Sequence, residues 1–196
     1  IVDKPFTDEE SLNSLNAYVR KWFQANFREL TPPQKFAFKL IKEKQNVLIT
    51  APTGSGQTMS GFLSIIRMLF DSLQGKLNDE IYCIYVSPLR SLNNDIYRNL
   101  TKPLTEMNER IKKDKGVDII KESIKEVTIG VRTGDTTQKE RREQLLKPPN
   151  ILVTTPESLA IMINSKKFVE HMKNVEFIVI DEIHELYYNK RGAQLS

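Results

Sequence analysis

Asn46-Val47-Leu48-Ile49-Thr50-Ala51-Pro52-Thr53-Gly54-Ser55-Gly56-Gln57-Thr58 is the stretch on which the fold turns. Its opening run is apolar and β-branched, the composition of a buried strand. Two glycines and a proline follow, and from Thr58 to Leu73 the residues Phe62, Ile65, Ile66, Leu69 and Phe70 recur at helical spacing. A strand that turns through glycines into a helix is the setting a phosphate-binding loop requires. Glycine lets the backbone curl so that successive N–H groups face phosphate oxygens, and the helix N-terminus adds its positive end. Thr53, Gly54, Ser55, Gly56, Gln57 and Thr58 are therefore candidates to hold a nucleotide, with the Thr58 hydroxyl offered to Mg²⁺. The alternative for this segment alone is an ordinary glycine-rich strand-to-helix turn.

Outward from this stretch the pattern repeats. Ile81–Val86, Val127–Val131, Asn150–Thr154 and Phe177–Ile180 are short, continuous apolar runs without in-and-out alternation, as expected of strands covered on both faces in a mostly parallel sheet. Helices are predicted over Gln34–Lys44 (Phe36, Ala37, Leu40 and Ile41 on one face), Thr58–Leu73 and Leu89–Leu100. Glu106–Lys125 reads as a solvated helix leading into the next strand. Residues 1–30 read as a helical preface with Trp22, Phe23 and Phe27 turned inward, and 31–196 as the main domain. Strand–helix alternation of this kind gives an α/β fold with helices on both faces of the sheet.

Composition agrees with that reading. In 196 residues the hydrophobic fraction is 39% and the charged fraction 28%, ordinary for a chain with a packed core. No apolar run approaches the roughly 18–20 residues that cross a bilayer. The first residues lack the basic and apolar regions of a signal peptide, so a soluble, intracellular and cytoplasmic protein is expected. The start also lacks a methionine, which points to an excised fragment. A single cysteine, Cys83, excludes an intramolecular disulfide and a multi-cysteine metal cluster, and its expected place is a buried strand. The net charge of +4 mildly favours phosphate backbones as partners.

A second motif decides the chemistry. Phe177-Ile178-Val179-Ile180 runs into Asp181-Glu182-Ile183-His184. Acids just past a buried strand sit at the carboxyl edge of the sheet, the edge where a phosphate loop also opens. Asp181 is suited to hold Mg²⁺ through its water shell, and Glu182 to act as the base that orients and deprotonates an attacking water. Acids capping a strand are usually only solvated. The upstream loop, in this order, makes a nucleoside-triphosphate hydrolysis site the better reading.

With these residues in place the chain resembles the DExH-type helicases of superfamily 2 over nearly its whole length. Ala51–Thr58 is similar to that family's motif I, and Asp181-Glu182-Ile183-His184 to its motif II. Thr31-Pro32-Pro33-Gln34 resembles the adenine-sensing motif, in which the glutamine reads the base edge. Ser87-Pro88-Leu89-Arg90 resembles motif Ia, and Thr154-Thr155-Pro156-Glu157 motif Ib. Arg132-Thr133-Gly134-Asp135-Thr136, the closing Asp181–Leu186 and Lys190-Arg191-Gly192 look most like the large helicase-related (Lhr) branch. The resemblance implies the N-terminal RecA-like domain of a P-loop NTPase, with ATP and Mg²⁺ as cofactors and a DNA or RNA strand as partner. Gln34 would read adenine, Asp181, Glu182 and the residue at 57 would serve catalysis, and His184 would couple domains. Pro88, Arg90, Gly134, Thr155 and Pro156 would grip the strand through its phosphates without reading bases.

Other readings compete at single positions. Gln34 alternatively caps the helix after Pro33, Arg90 is alternatively a surface arginine, and His184 alternatively a structural histidine. His171 is assigned no role, and Lys139, Arg141 and Arg142 read as a solvated helix face, with an extension of the nucleic-acid path as the alternative.

Two departures from the family bear on activity. Gln57 stands where the loop usually has lysine. Losing that charge-assisted hydrogen bond costs ~1.5–3 kcal/mol in binding, and on the order of 10²–10³ in rate where charge develops in the transition state. The sequence also stops at Ser196, soon after motif II. The family's Ser-Ala-Thr motif, second RecA-like domain and arginine finger lie outside it, and such a finger is worth ~10³–10⁵ in turnover. An ATP-dependent helicase fragment with little turnover of its own is the leading expectation. A non-catalytic nucleotide- or nucleic-acid-binding module is the alternative. A P-loop kinase fits poorly, because it has no use for Thr155-Pro156-Glu157 or an Asp-Glu-x-His cluster.

Overall fold

Four of the apolar runs form one sheet. In the computed structural model, which describes residues 4–52, 54–72, 77–88, 90–114 and 126–187, they become β1 (Cys83–Val86), β2 (Ile129–Arg132), β3 (Ile151–Thr154) and β4 (Phe177–Ile180). All pairings are parallel, in the order β2-β3-β1-β4. The expected α/β class with a parallel sheet is what the chain adopts. β1 and β3, inside the sheet, are buried at every residue. β4, at an edge of the described sheet, alternates, with Ile178 61% and Ile180 41% exposed.

The chain divides into two compact units, Ile1–Lys76 with Pro103–Lys125, and Leu77–Lys102 with Glu126–Ser196. The sheet belongs to the second. Its core joins Ile81, Ile84, Val86 and Leu152 to Leu159 and Met162 of α7 (Pro156–Ile163) and Phe168 of α8 (Lys166–Val169). Cys83 is buried as expected, and burial pushes its thiol up to about 12, so it stays protonated at neutral pH. The parallel strands are joined through helices, among them α6 (Gln138–Leu146) between β2 and β3. The strand ends are set by Asn150. Its Nδ2 donates to the carbonyls of Asn78 and Glu80, and its Oδ1 accepts the Thr128 N–H.

The first unit is helical: α1 (Asp8–Leu12), α2 (Ala17–Asn26), α3 (Pro32–Lys42) and α4 (Gln57–Ser72). The starts of the first three are chemically marked. Thr7 and Glu10 form a capping box on α1, Asn16 caps α2 by accepting the Val19 N–H, and Pro32 and Pro33 open α3. Trp22, Phe23, Ala37, Phe38, Phe62 and Ile66 are buried here. Trp22 Nε1 donates to Glu106 at 2.7 Å, so the buried indole keeps a partner. α5 (Arg90–Asp114) carries Pro103 in its interior, where a missing N–H weakens the helix, and the division between units falls at that residue.

Three expectations need correction. Asn46–Thr50 is not a strand in this structure. It joins no ladder among the described residues, and Leu48 is 74% exposed. β propensity makes a strand only where a neighbouring edge supplies the hydrogen bonds, and a lone apolar run has none. The helix expected to end at Leu100 continues to Asp114, because Leu100, Leu104, Met107 and Ile111 sustain a buried stripe across Pro103. Phe27 is 41% exposed instead of turned fully inward: as the extended C-cap residue of α2 it stacks on Phe23 at 5.0 Å and leaves its other side to solvent. Among the described residues no helix is long and apolar enough to cross a membrane.

Candidate nucleotide and nucleic-acid site

The loop after Ala51 curls where its glycines permit. Gly54 has φ +81° and Gly56 φ +87°, conformations that L side chains rarely adopt. The Ser55 N–H donates back to the Pro52 carbonyl at 3.2 Å, and α4 starts at Gln57. A Cβ on Gly54 would meet nothing within 4 Å, so the outer side of the curl is open. Ser55 Oγ is buried without a hydrogen-bond partner, and Thr58 is exposed in the first helical turn. A curled backbone, an orphaned hydroxyl and the N-terminus of a sixteen-residue helix fit a phosphate group. Gln57 takes another course: its Nε2 donates to the Ala51 carbonyl across the loop. Thr53 lies outside the described residues.

Gln34 is 2% exposed on α3, and its Oε1 accepts the Thr31 N–H at 2.9 Å, which is the capping role weighed above. The other end of the amide faces the loop, since a Cβ on Gly56 would stand 3.2 Å from Gln34 Nε2 and 3.0 Å from Thr31 Oγ1. Gln34 thus braces the turn of its own helix and abuts the phosphate-loop backbone.

In the second unit, the parallel register brings the remaining motifs to one edge. Val86 pairs with both Thr154 and Ile180, and Arg132 pairs with Thr154. Ser87, Thr133, Thr155 and Asp181 are the next residues of four strands, side by side at the carboxyl edge. The ladder carries on past the strands, with Asp181 N–H donating to Val86 O at 2.9 Å and Ser87 N–H to Thr154 O at 3.0 Å. Asp181 is half-buried and held at both oxygens: Tyr85 Oη donates to Oδ2 at 2.8 Å and the Glu182 N–H to Oδ1 at 3.1 Å. Glu182 sits at φ +50°, a left-handed conformation costing a non-glycine residue ~1–2 kcal/mol. His184 is exposed, with Nδ1 3.3 Å from Glu182 Oε2 and Nε2 3.9 Å from Glu185 Oε1.

The other edge loops are built firmly. Ser87 and Pro88 are buried, and Arg90 opens α5. Thr155 is 1% exposed and caps α7 by accepting the Ser158 N–H, with Pro156 as the first helical residue. Gly134 is exposed in the turn after β2. Arg141 is not the freely solvated side chain that its place on a helix suggested. It reaches back to donate to the carbonyls of Thr136 (2.9 Å), Thr133 (3.1 Å) and Gly134 (3.2 Å), clamping that turn. Arg132 lies over the Phe168 ring at 4.7 Å, where burial and then the nearby Arg141 cation pull its pKa below the ordinary value. His171 has a structural contact, its Nε2 lying 3.0 Å from the Leu145 carbonyl. Tyr85 and Arg141 are the contributors that motif reading missed. The only signal for Tyr85 was a polar atom in an otherwise apolar strand, two residues ahead of Ser87.

A parallel sheet whose carboxyl edge carries these loops is the architecture of a RecA-like α/β domain. The chain belongs to the DEAD/DEAH box helicase family, whose profile matches residues 31–196. It is 46% identical over 192 residues to the ATP-dependent helicase Lhr-Core of Saccharolobus solfataricus, covering 97% of this chain and 21% of that protein. It is 47% identical over 194 residues to the Lhr-Core helicase of Methanocaldococcus jannaschii, covering 98% and 22%. Among solved structures it superposes on Mycobacterium smegmatis helicase Lhr bound to ssDNA and AMP-PNP with a TM-score of 0.81 at 38% identity, covering 94% of this chain and 22% of that one. The DEAD-box helicase Mss116 shares the fold (TM-score 0.79, 23% identity, 99% of this chain and 37% of that one). The resemblance to the Lhr branch therefore holds. The chain spans about a fifth of the length of the curated relatives it matches.

Proposed function

We propose that this chain is the ATP-binding domain of an ATP-dependent helicase of the Lhr type, in which hydrolysis drives movement along a DNA or RNA strand. The observation that carries the proposal is the shared carboxyl edge, from which Ser87-Pro88, Thr133-Gly134, Thr155-Pro156 and Asp181-Glu182 all emerge in register. The helices of residues 1–30 are a preface to the domain of 31–196, a division supported by where the family match begins.

Each residue has a task in this reading. The amides of Gly54, Ser55 and Gly56 receive phosphate oxygens together with Thr53, and Gln34 turns its amide to adenine. Thr58 and Asp181 would hold Mg²⁺, which when bound would neutralise charge on the outer phosphates. Glu182 orients the attacking water and takes its proton, and His184 passes the change to the neighbouring domain. Pro88, Arg90, Gly134, Thr155 and Pro156 grip strand phosphates. A second RecA-like domain in the longer protein completes the cleft, so this chain alone turns over ATP poorly.

A second reading, a nucleotide-binding module without turnover, is favoured by one observation, the commitment of Gln57 to Ala51 O. Calorimetry with ATP·Mg²⁺ and ATPase assays with single-stranded DNA and RNA, on this chain and on the longer protein, separate the two. Nucleic-acid-stimulated hydrolysis in the longer protein supports the helicase. Nucleotide binding without it supports the module, and no binding to either chain overturns both.

A further inference from the structure

Tyr85 sits on β1 with its ring buried (2% exposed), and its neighbours on the same strand, Ile84 and Val86, are purely apolar. A buried phenol needs an acceptor for its O–H, and a main-chain carbonyl would serve. Here the hydroxyl goes to the Asp181 carboxylate at 2.8 Å. The register explains the reach. Tyr85 lies opposite Val179 and Asp181 is two residues further on, so the carboxylate is displaced by about 6.6 Å along the strand direction. A phenol ring leaning along the strand spans that distance. Valine or isoleucine, the usual residues of such a strand, cannot.

The consequence is a carboxylate fixed at both oxygens. Glu182 N–H holds Oδ1 and Tyr85 holds Oδ2, which removes free rotation of the carboxyl plane and leaves each oxygen a further lone pair to offer. We propose that Tyr85 is a positioning residue for Asp181, aiming its carboxylate at the hydrated Mg²⁺ of a bound nucleotide. This rests on the reading above that Asp181 holds that ion. Outer partners of metal-binding groups act in this way, and losing one typically costs about 10–100-fold in metal affinity.

The test is a titration of a fluorescent ATP analogue against Mg²⁺, on this chain and on its Gln57→Lys variant, each also carrying Tyr85→Phe, Asp181→Asn or both. Tyr85→Phe should raise the half-saturating Mg²⁺ about 10-fold, while nucleotide affinity in EDTA and the melting midpoint stay as they were. It should add nothing once Asp181→Asn is present, since its effect runs through that carboxylate. If Asp181→Asn raises the Mg²⁺ requirement and Tyr85→Phe does not, the positioning role is overturned and the site reading stands. If Asp181→Asn changes nothing, or no variant binds nucleotide in a Mg²⁺-dependent way, the reading of Asp181 fails and this inference with it. Collapse of the fold in Tyr85→Phe overturns it too, because the hydroxyl would then support the sheet and not the carboxylate.

Discussion

The phosphate loop and the acid turn both follow apolar runs, yet they are held in opposite ways. The acid turn is fixed by its neighbours: β4 is laddered to β1, Asp181 N–H donates to Val86 O, and Tyr85 reaches the carboxylate. The phosphate loop is tied largely to itself. Ser55 N–H returns to Pro52 O, the Gln57 amide crosses to Ala51 O, and the run before it joins no ladder among the described residues. A change at 181 or 182 therefore alters chemistry on a fixed frame, whereas a change at 57 alters the charge of the loop and its internal tie together.

The largest effect expected from this contrast is on turnover. In a chain joined to the second RecA-like domain proposed above, Gln57→Lys should raise nucleic-acid-stimulated ATP hydrolysis by on the order of 10²–10³, the worth of a donor aimed at developing charge. Adding Glu182→Gln should remove that gain and leave nucleotide affinity intact. Steady-state phosphate release on the three proteins decides it. If the unmodified protein already matches Gln57→Lys, glutamine is no handicap and the account of the loop is wrong.

Binding comes next. Gln57→Lys should tighten ATP·Mg²⁺ by ~1.5–3 kcal/mol, about 10- to 150-fold in Kd. Gln57→Ala separates the tie from the charge, since neither glutamine nor alanine is cationic. It should bind more weakly than the unmodified chain because the Ala51 carbonyl loses its partner. Equal affinities by calorimetry would show that the crossing amide contributes nothing to the loop.

A pair of glycines sharpens the same point in stability. Gly54→Ala should cost ~1–2 kcal/mol, the left-handed penalty alone, because the space beside it is open. Gly56→Ala carries that penalty and also crowds Thr31 Oγ1 at 3.0 Å and Gln34 Nε2 at 3.2 Å, adding about 1–3 kcal/mol of overpacking. Denaturant melts that rank the two the other way would mean that the contact between loop and α3 is loose.

Legibility in the sequence follows the same divide. β4 was readable to the residue, because Phe177–Ile180 is bounded by the polar Glu176 and the acids it delivers. Asp181 at the carboxyl edge followed directly from that strand. The run at 46–50 has equal propensity and no ladder, since pairing depends on which edges meet and not on composition. Tyr85 escaped because its role is long-range, acting across 96 positions of sequence. Arg141 reaches back only eight residues to Thr133, from a helix whose apolar pattern is too weak to show which face turns inward. Gln34 was read both as adenine sensor and as helix cap. The cap is visible in its bond to Thr31 N–H, while adenine recognition is a matter for nucleotide titration.

The smallest effect uses one matched feature in each unit. Glu10 closes the capping box of α1 in the first unit, and Glu140 closes that of α6 in the second. Thr7, through backbone and then side chain, pulls the Glu10 carboxyl below its usual pKa of 4.5, and the Thr137 side chain and then its backbone do the same to Glu140. A carboxyl depressed in the folded state contributes stability that is complete above its unfolded pKa and is lost as pH falls through the lower folded value. Both boxes should therefore be intact from neutral pH to about 5 and fail only below 4.5, into the acid range. Glu10→Gln and Glu140→Gln keep the side-chain acceptor and remove the titration. Each should flatten the acid limb of the melting curve by about 1–2 °C, on the scale of a lost surface hydrogen bond in a domain of this size. The two should differ in place: hydrogen exchange followed as the pH is lowered from 4.5 should report protection lost progressively at the start of α1 in the unmodified chain and retained there in Glu10→Gln, with α6 unaffected by that substitution. Simultaneous loss at both helices from either single change would mean that the two units melt as one body, and that the loop and the acid turn share a common stability after all.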